Sequence, residues 1–358
     1  MKLCVLAGMI NAKLSSKIAP LQAASQVTDI FLIRRQTYQG DKIRCFAPPP
    51  WLGWARPLGE LWRLTALIYV LIRHRPQWII AFGIIPHGLY AWIFGKIFRI
   101  PVIQHVMGKN DLRLTFPNQS GRKLALAALK ASRYVAVRGQ ASIEYLVHKG
   151  IPKERLFAPQ NLHDFALFQP DPRIRKRFDL IYVGLFSAYK RLDLVLDALK
   201  QVIHDHPNAN VLLVGDGPKR KALEKQALRL GIQSHVEFLG SQTFDQLPTC
   251  YNAARVFIMT SQGEGLPMAM IEAMSCGLPV IVPADADITE IARNGINSVV
   301  VNEWTPRCFA EAIHSLLSDP ARYQRLREGA LRLREHKARE YSLAAQTELW
   351  EGYLYSKR

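Results

Sequence analysis

Short apolar runs alternate with amphipathic helical stretches along most of this 358-residue chain, and that alternation restricts the folds it can adopt. Strands that alternate with helices of this length form parallel sheets covered by helices on both faces. The sequence therefore predicts an α/β fold. The predicted strands cover residues 3–6, 78–82, 102–105, 134–137, 180–183, 211–214, 236–239, 256–259, 280–282 and 298–301. The predicted helices of the second half cover residues 192–205, 219–230, 244–253, 268–276, 288–294 and 306–317.

Two domains are expected, because 358 residues are more than twice the usual domain size of roughly 150. Pro170 and Pro172 stand before a basic run at 173–177, a composition typical of a linker. We therefore predict one domain at 1–169 and a second at 170–338. Since ligands of parallel α/β sheets bind outside the carboxyl ends of the strands, a site in a cleft between the domains is expected.

Positive charge is concentrated in the first half of the chain. Residues 1–170 carry 23 Lys and Arg against 7 Asp and Glu, which is +16 of the total formal charge of +18. Such a half commonly faces nucleic acid, a membrane surface or a phosphorylated substrate, and a solubilising surface is the alternative. No recognition helix, zinc finger or aromatic–basic strand motif accompanies the charge, so we expect no nucleic acid partner.

Membrane contact is a further expectation from composition. Residues 78–95 carry no formal charge, but Pro86 and His87 favour a strand and a helix there over a membrane span. Tryptophans and arginines border the apolar run 64–72, which is typical either of a surface in the lipid interface or of a core helix. Those tryptophans are Trp51, Trp54 and Trp62. The five scattered cysteines suggest no disulfide framework and favour the cytoplasm.

The stretch 261–277 carries the clearest binding motif. Pro267 fits the first position of a helix and Gly277 the position after its end. The free N–H groups at such a helix start, beside Gly265, suit a phosphate. Glu272 lies one to two turns inside the helix, where its carboxylate can accept two hydrogen bonds from a ribose diol. Phosphate and diol together are the two halves of nucleotide recognition.

A second strand–turn–helix unit lies at 180–191. Gly184 ends the predicted strand, and Lys190 and Arg191 open the next helix. Lys190 can neutralise a departing diphosphate as a mobile point charge. By spacing alone, two ordinary strand–helix turns would explain both stretches equally well.

Taken together, these motifs resemble the retaining GT-B glycosyltransferases of family 4. Their Glu-x7-Glu signature is seen here as Glu264 and Glu272, and the similarity extends to segments 159–170, 184–190, 211–232 and 236–240. The resemblance implies two Rossmann-like doubly wound domains, the first on the acceptor side and the second binding a nucleotide-sugar. It further implies that the helical segment within 339–358 packs back on the first domain. No cofactor and no metal are implied.

Individual roles follow from this resemblance. Lys190 is expected at the donor diphosphate, Glu272 at the ribose and Glu264 at the hydroxyls of the transferred sugar. The backbone of Gly265, Leu266 and Pro267 is expected to hold the sugar and phosphate. The turn from Phe238 to Gly240 is expected to border the base, and Gly184 to end the strand before the diphosphate.

The chain also departs from the family pattern. Leu185 stands where the family has an arginine, so Arg191 is the expected substitute at the diphosphate. Met107-Gly108 stands where many relatives have a His-Gly pair, and His105 is the substitute catalytic residue that we predict. An Asp-Ala-Asp triplet at 285–287 resembles the motif that binds a metal ion and a diphosphate in the other main glycosyltransferase fold, but we expect no metal there.

The predicted function is therefore transfer of a sugar, with retention of configuration, from a nucleoside-diphosphate sugar. The expected acceptor is a lipid-linked or anionic glycan of cell-surface polysaccharide synthesis. The expected location is the cytoplasm, peripheral at the inner membrane face, with the basic half against anionic lipid. A nucleotide-sugar epimerase or a phosphorylase of the same architecture is the alternative.

Overall fold

The computed structural model describes residues 1–9, 11–52, 56–106, 119–261, 263–264 and 266–356. The chain forms two compact units. The first comprises Met1–Leu162 with Glu340–Arg358, and the second comprises His163–Arg339. Residues 163–169, which the sequence assigned to the first domain, lie in the second unit.

The first unit contains a seven-stranded parallel sheet of order β3-β2-β1-β4-β5-β6-β7. The four strands predicted in this region are present. Strands β2, β3 and β7 were not predicted. Strand β3 is half-exposed and β7 has two residues, whereas β2 is a buried apolar strand that the sequence reading missed. The strands are β1 (Lys2–Ala7), β2 (Asp29–Ile33), β3 (Ile43–Phe46), β4 (Trp78–Phe82), β5 (Val102–His105), β6 (Tyr134–Ala136) and β7 (Leu156–Phe157).

Helices pack on both faces of this sheet. They are α1 (Asn11–Ala23), α2 (Arg56–His74), α3 (Leu89–Phe98), α4 (Gln119–Ala131) and α5 (Gln140–His148). The apolar segment 78–95 is divided between β4 and α3, with a short π-helical turn at Ile84–Gly88 between them. Within the described residues, no helix combines the length and the apolar character needed to cross a membrane.

The second unit contains a six-stranded parallel sheet of order β10-β9-β8-β11-β12-β13. All six strands were predicted. They are β8 (Phe178–Val183), β9 (Val211–Val214), β10 (Val236–Gly240), β11 (Ala254–Ile258), β12 (Val280–Pro283) and β13 (Ser298–Val301). The helices are α6 (Leu192–Asp205), α7 (Arg220–Leu230), α8 (Leu247–Asn252), α9 (Met268–Ser275), α10 (Ala286–Thr289), α11 (Pro306–Leu317) and α12 (Pro320–Lys337).

One predicted helix of the second unit is displaced. The sequence predicted 288–294, whereas α10 begins at Ala286 and ends at Thr289. The side chain of Asp285 accepts a hydrogen bond from the Asp287 N–H and so caps an earlier start. Asn297 then donates to the Ile291 carbonyl at 3.0 Å, and Gly295 has φ +74°, which together make this stretch a loop.

The last helix, α13 (Leu343–Leu354), belongs to the first unit. Trp350 is buried and meets the Phe157 ring edge-on at 5.2 Å between centroids. The Trp78 indole N–H donates to the Leu354 carbonyl at 3.2 Å. The first core therefore contains side chains from both ends of the chain.

Candidate active site

The second sheet has a topological switch point between β8 and β11. The strand order runs outward from these two neighbours in opposite directions, and ligands bind at the carboxyl ends of strands at such a point. The loops after β8 and β11 are joined by Thr260. Its hydroxyl oxygen lies 2.9 Å from the Lys190 carbonyl and 2.8 Å from the Arg191 carbonyl.

Lys190 and Glu264 form an ion pair across these loops, between Nζ and Oε1. Their side chains are only 14% and 15% exposed. The pair is therefore better shielded from water than a surface ion pair, and its charges interact more strongly. Sequence reasoning assigned both residues to one donor molecule, and the structure brings them together.

Helix α9 begins at the same edge of the sheet. Pro267 is its N-cap, and the first helical residue is Met268, which places Pro267 one position earlier than the sequence predicted. The helix ends in a Schellman motif, with hydrogen bonds from Gly277 N to Met274 O and from Leu278 N to Ala273 O. Leu266 is buried before the helix start. Gly265 lies outside the described residues.

Glu272 is a buried carboxylate on α9, 8% exposed. Its Oε2 accepts a hydrogen bond of 2.8 Å from the Tyr251 hydroxyl, which is itself buried. Burial raises the pKa of Glu272 to about 7, and the Tyr251 bond only partly opposes this rise. The sequence did not identify Tyr251 as a site residue, because an isolated aromatic residue in an apolar helix carries no signal.

Three glycines allow the loops at the strand ends to approach closely. A Cβ on Gly215, whose φ is +133°, would lie 1.9 Å from the Gly184 carbonyl oxygen. The Gly215 N–H donates to the Gly240 carbonyl at 2.8 Å. Phe238, which precedes that turn, packs against the core, and its carbonyl lies 3.4 Å from Arg220.

Arg191 lies beside Lys190 but is already engaged. Its Nε is 3.1 Å from Oδ1 of Asp193 and its Nη2 is 2.9 Å from Oδ2, a two-pronged ion pair. The hydrogen bond to Asp193 raises the pKa of Arg191. Because this pair uses Nε and Nη2, Nη1 is the nitrogen through which Arg191 would make the diphosphate contact predicted as a replacement for the family's arginine.

The segment that follows the unit boundary supports the end of α9. His163 Nε2 lies 2.9 Å from the Ser275 hydroxyl, which also donates to the Ile271 carbonyl at 2.7 Å. Since that hydroxyl has one proton, Nε2 is the donor to Ser275. Burial lowers the pKa of His163 to about 4, so the ring is neutral at pH 7.

His105, the predicted catalytic histidine, lies in the first unit at the end of β5. It is 1% exposed, and its Nε2 lies 3.4 Å from Lys17 Nζ. Burial, together with the charges of Lys17 and Arg138, lowers the pKa of His105 far below its usual value. Because an ammonium group only donates, Nε2 is the acceptor, and a catalytic role for His105 stays a prediction.

A His-Gly pair is present after β4, where sequence analysis did not identify it. His87 Nε2 accepts a hydrogen bond of 3.0 Å from the buried Arg63, and burial lowers the pKa of His87 to about 3. The His87 ring also covers Gly8, where a Cβ would lie 2.6 Å from Cε1. The predicted position of the pair, Met107-Gly108, lies outside the described residues.

Metal ligation has no structural counterpart in the described part of the chain. Asp285 of the Asp-Ala-Asp triplet accepts from the Asp287 N–H at 3.2 Å as a helix cap. Among the described residues, no group of three or more His, Cys, Asp and Glu side chains is placed to hold a metal ion.

Comparison with solved structures identifies the fold. Anabaena HepE in complex with UDP-glucose superimposes with a TM-score of 0.80 at 20% identity, covering 100% of both chains. Sucrose-phosphate synthase from Thermosynechococcus elongatus gives a TM-score of 0.81 at 18% identity, covering 99% of this chain and 98% of that one. The fold is therefore GT-B, with two Rossmann-like units.

Sequence comparison supports the group 1 glycosyltransferase family. Residues 165–332 match the family model described as Glycosyl transferases group 1. The chain is 30% identical over 230 residues to D-inositol 3-phosphate glycosyltransferase 1 of Catenulispora acidiphila, covering 59% of this chain and 54% of that relative. A D-inositol 3-phosphate glycosyltransferase of Streptomyces bingchenggensis is 26% identical over 290 residues, covering 74% and 64%. The chain thus spans less than two thirds of either relative.

Proposed function

We propose that this chain is a glycosyltransferase that moves a sugar from a nucleoside-diphosphate sugar to an acceptor with retention of configuration. The observation that carries the proposal is the Lys190–Glu264 ion pair at the switch point of the second unit. Its position fits a ligand that presents a diphosphate beside sugar hydroxyls. Relatives named as glycosyltransferases and the HepE complex with UDP-glucose agree with this chemistry.

In this proposal each charged group meets one part of the donor. Lys190 turns from Glu264 to the diphosphate and stabilises the charge that develops as the sugar–phosphate bond breaks. Glu264 then accepts hydrogen bonds from the sugar hydroxyls. Glu272, fixed by Tyr251 through Oε2, offers its other oxygen to the ribose. The N–H groups at the start of α9 complete the anion site.

The proposed acceptor is a lipid-linked or anionic glycan of cell-surface polysaccharide synthesis. The support is the charge of +16 on residues 1–170 and the basic groups near the carboxyl ends of the first sheet. Lys17, Arg63 and Arg138 are all buried there. We propose a cytoplasmic enzyme that is peripheral at the inner membrane face.

A thermal-shift screen with UDP-, GDP- and ADP-glucose tests the donor. A ligand at 100 times its Kd stabilises the folded state by about 2.7 kcal/mol, so one of the three should raise the Tm by several degrees. No shift with any of these sugars would contradict the proposal. Conversion of the donor sugar without acceptor would instead indicate an epimerase, and dependence on free phosphate a phosphorylase.

A further inference from the structure

The outer sides of α2 and α3 carry exposed apolar residues. Both helices pack their inner sides on the same face of the first sheet, through Leu67 and Ala91 among others. Seven outer residues are at least 36% exposed, five on α2 and two on α3. They are Leu58, Leu61, Ile68, Tyr69 and Ile72 on α2, and Ile93 and Ile97 on α3.

A basic cavity of about 520 Å³ adjoins the end of α3. Its lining includes Lys96, Arg99, Arg133, Arg155 and Trp92, and no acidic side chain of the described residues. None of these four cations forms an ion pair with the described part of the chain. We call the exposed residues of α2 and α3, together with these four cations, the apolar–basic face.

This cavity lies at the amino ends of the strands. Arg133 directly precedes β6, and Arg155 directly precedes β7. His87 and His105 lie at the opposite, carboxyl edge of the same sheet. The cavity is therefore remote from the edge at which ligands of parallel sheets usually bind.

All four cations lie near the C-terminus of a helix. Lys96 and Arg99 lie at the C-terminus of α3, where cations are favourable in any protein. Arg133 follows the end of α4 by two residues, and Arg155 Nη1 lies 3.3 Å from the Lys130 carbonyl in the last turn of α4, so the C-terminus of that helix favours these two cations as well. Four cations lining one cavity, beside exposed isoleucines and Trp92, fit a phosphate group carried by an apolar molecule.

We propose that the apolar–basic face docks on a bilayer that contains anionic phospholipid, with a headgroup phosphate in the cavity. The isoleucines enter the acyl boundary, and Trp92 lies at the headgroup level where tryptophan is enriched. Self-association through the same face would bring like charges together, so charge complementarity favours the anionic bilayer. This inference rests on the proposed function, because a lipid-linked acceptor requires the enzyme at a membrane.

Vesicle co-sedimentation of the full chain tests this docking without donor or acceptor. Vesicles of phosphatidylcholine with phosphatidylglycerol should bind the chain, and vesicles of phosphatidylcholine alone should bind it far more weakly. The double variant R99A/R133A should bind roughly 30-fold more weakly, the ratio for about 2 kcal/mol at about 1 kcal/mol per basic residue. The control R229A/R325A removes the same charge from exposed positions of the second unit and should bind as the parent chain does.

A second pair of variants tests the apolar contribution at constant charge. Ile97→Asn should weaken vesicle binding severalfold, whereas Leu228→Asn, at a comparably exposed position of α7, should not. Equal binding by all variants, or no binding to anionic vesicles at low salt, would overturn the proposal. A third combination of results would also overturn it: R99A/R133A no longer binds inorganic phosphate, while Ile97→Asn binds vesicles as the parent chain does. Such a result would indicate a site for a soluble anion.

The failure of this proposal can be distinguished from failure of the proposed function. UDP-glucose affinity and Tm should be unchanged in R99A/R133A, because these residues lie outside the candidate donor site. Vesicle binding without any nucleotide-sugar binding would support membrane docking by the apolar–basic face and contradict the proposed function. Nucleotide-sugar binding without vesicle binding would do the reverse.

Discussion

At the scale of single residues, Glu272 is a buried carboxylate whose ionisation costs stability. Burial beside Tyr251 raises its pKa from 4.5 to about 7, so the folded state binds a proton that the unfolded state releases between these values. The penalty on folding therefore grows as the pH rises from 4.5 to about 7 and is constant above that. A ribose diol requires the charged form, and the donor should bind more weakly as the pH falls below 7.

Glu272→Gln is predicted to separate these two effects. At pH 8 the variant should unfold several degrees higher, since the cost of the buried charge is up to about 3 kcal/mol, and this gain should vanish near pH 4.5. Its UDP affinity should be lower and nearly independent of pH between 6 and 8 (approximately the titration range of Glu272). Calorimetry measures the UDP affinity and thermal melts measure the Tm, with Glu237→Gln at an exposed position as the control. A UDP affinity of the parent chain that does not change between pH 6 and pH 8 (approximately the titration range of Glu272) would contradict this explanation.

Contacts within the candidate site could be predicted from the sequence only where a motif carries them. Lys190 and Glu264 were found through their motifs, and the structure pairs them. Tyr251 and Arg63 act by burial and by a contact across the fold, which no local pattern reveals. His105 was predicted because it stands two residues before Met107-Gly108, whereas nothing local in the sequence indicates that His87 lies against Gly8.

At the scale of elements, the loops after β8, β9 and β10 depend on a close backbone approach that side chains would prevent. Gly215 combines φ +133° with a Cβ position 1.9 Å from the Gly184 carbonyl oxygen. Strands with continuous apolar runs, such as β9 and β12, could be predicted because both faces are buried. The edge strand β3 could not, since its half-exposed residues lack that pattern.

Gly215→Ala is expected to destabilise the second unit by about 3 kcal/mol or more, because both the strained φ and the carbonyl overlap must be relieved. Gly231→Ala is the matched control: its φ is +68° but nothing lies within 4 Å of the added Cβ. It should lose only about 1 kcal/mol. Denaturant unfolding compares them, and equal losses would show that the loops move apart freely.

The C-terminal helix α13 gives a second prediction at this scale. Ending the chain after Arg339 removes Trp350 and Leu354 from the first core and exposes the Phe157 ring. The first unit should lose several kcal/mol, whereas the second unit should keep its UDP affinity. Limited proteolysis measures the stability of the first unit, and a UDP titration measures the affinity of the second. A stable first unit in the truncated chain would contradict the packing described here.

At the scale of the whole molecule, the sequence contains recognisable motifs for one of the two units and none for the other. The second unit has familiar motifs, and residues 165–332 match a family model. The first has a basic composition and histidines held by buried cations, without a motif for any acceptor. The contacts of these histidines join side chains from different elements, so they follow from the three-dimensional arrangement and not from local order.

Calorimetric titration of UDP-glucose measures whether the second unit has the proposed donor site. The parent chain should bind UDP-glucose. Lys190→Ala should bind it at least about 10-fold more weakly, because the variant lacks the cation for the diphosphate. The control Lys219→Ala, at an exposed position of the same unit, should bind as the parent chain does. Equal UDP-glucose affinity in Lys190→Ala and the parent would contradict a donor site at the switch point of β8 and β11.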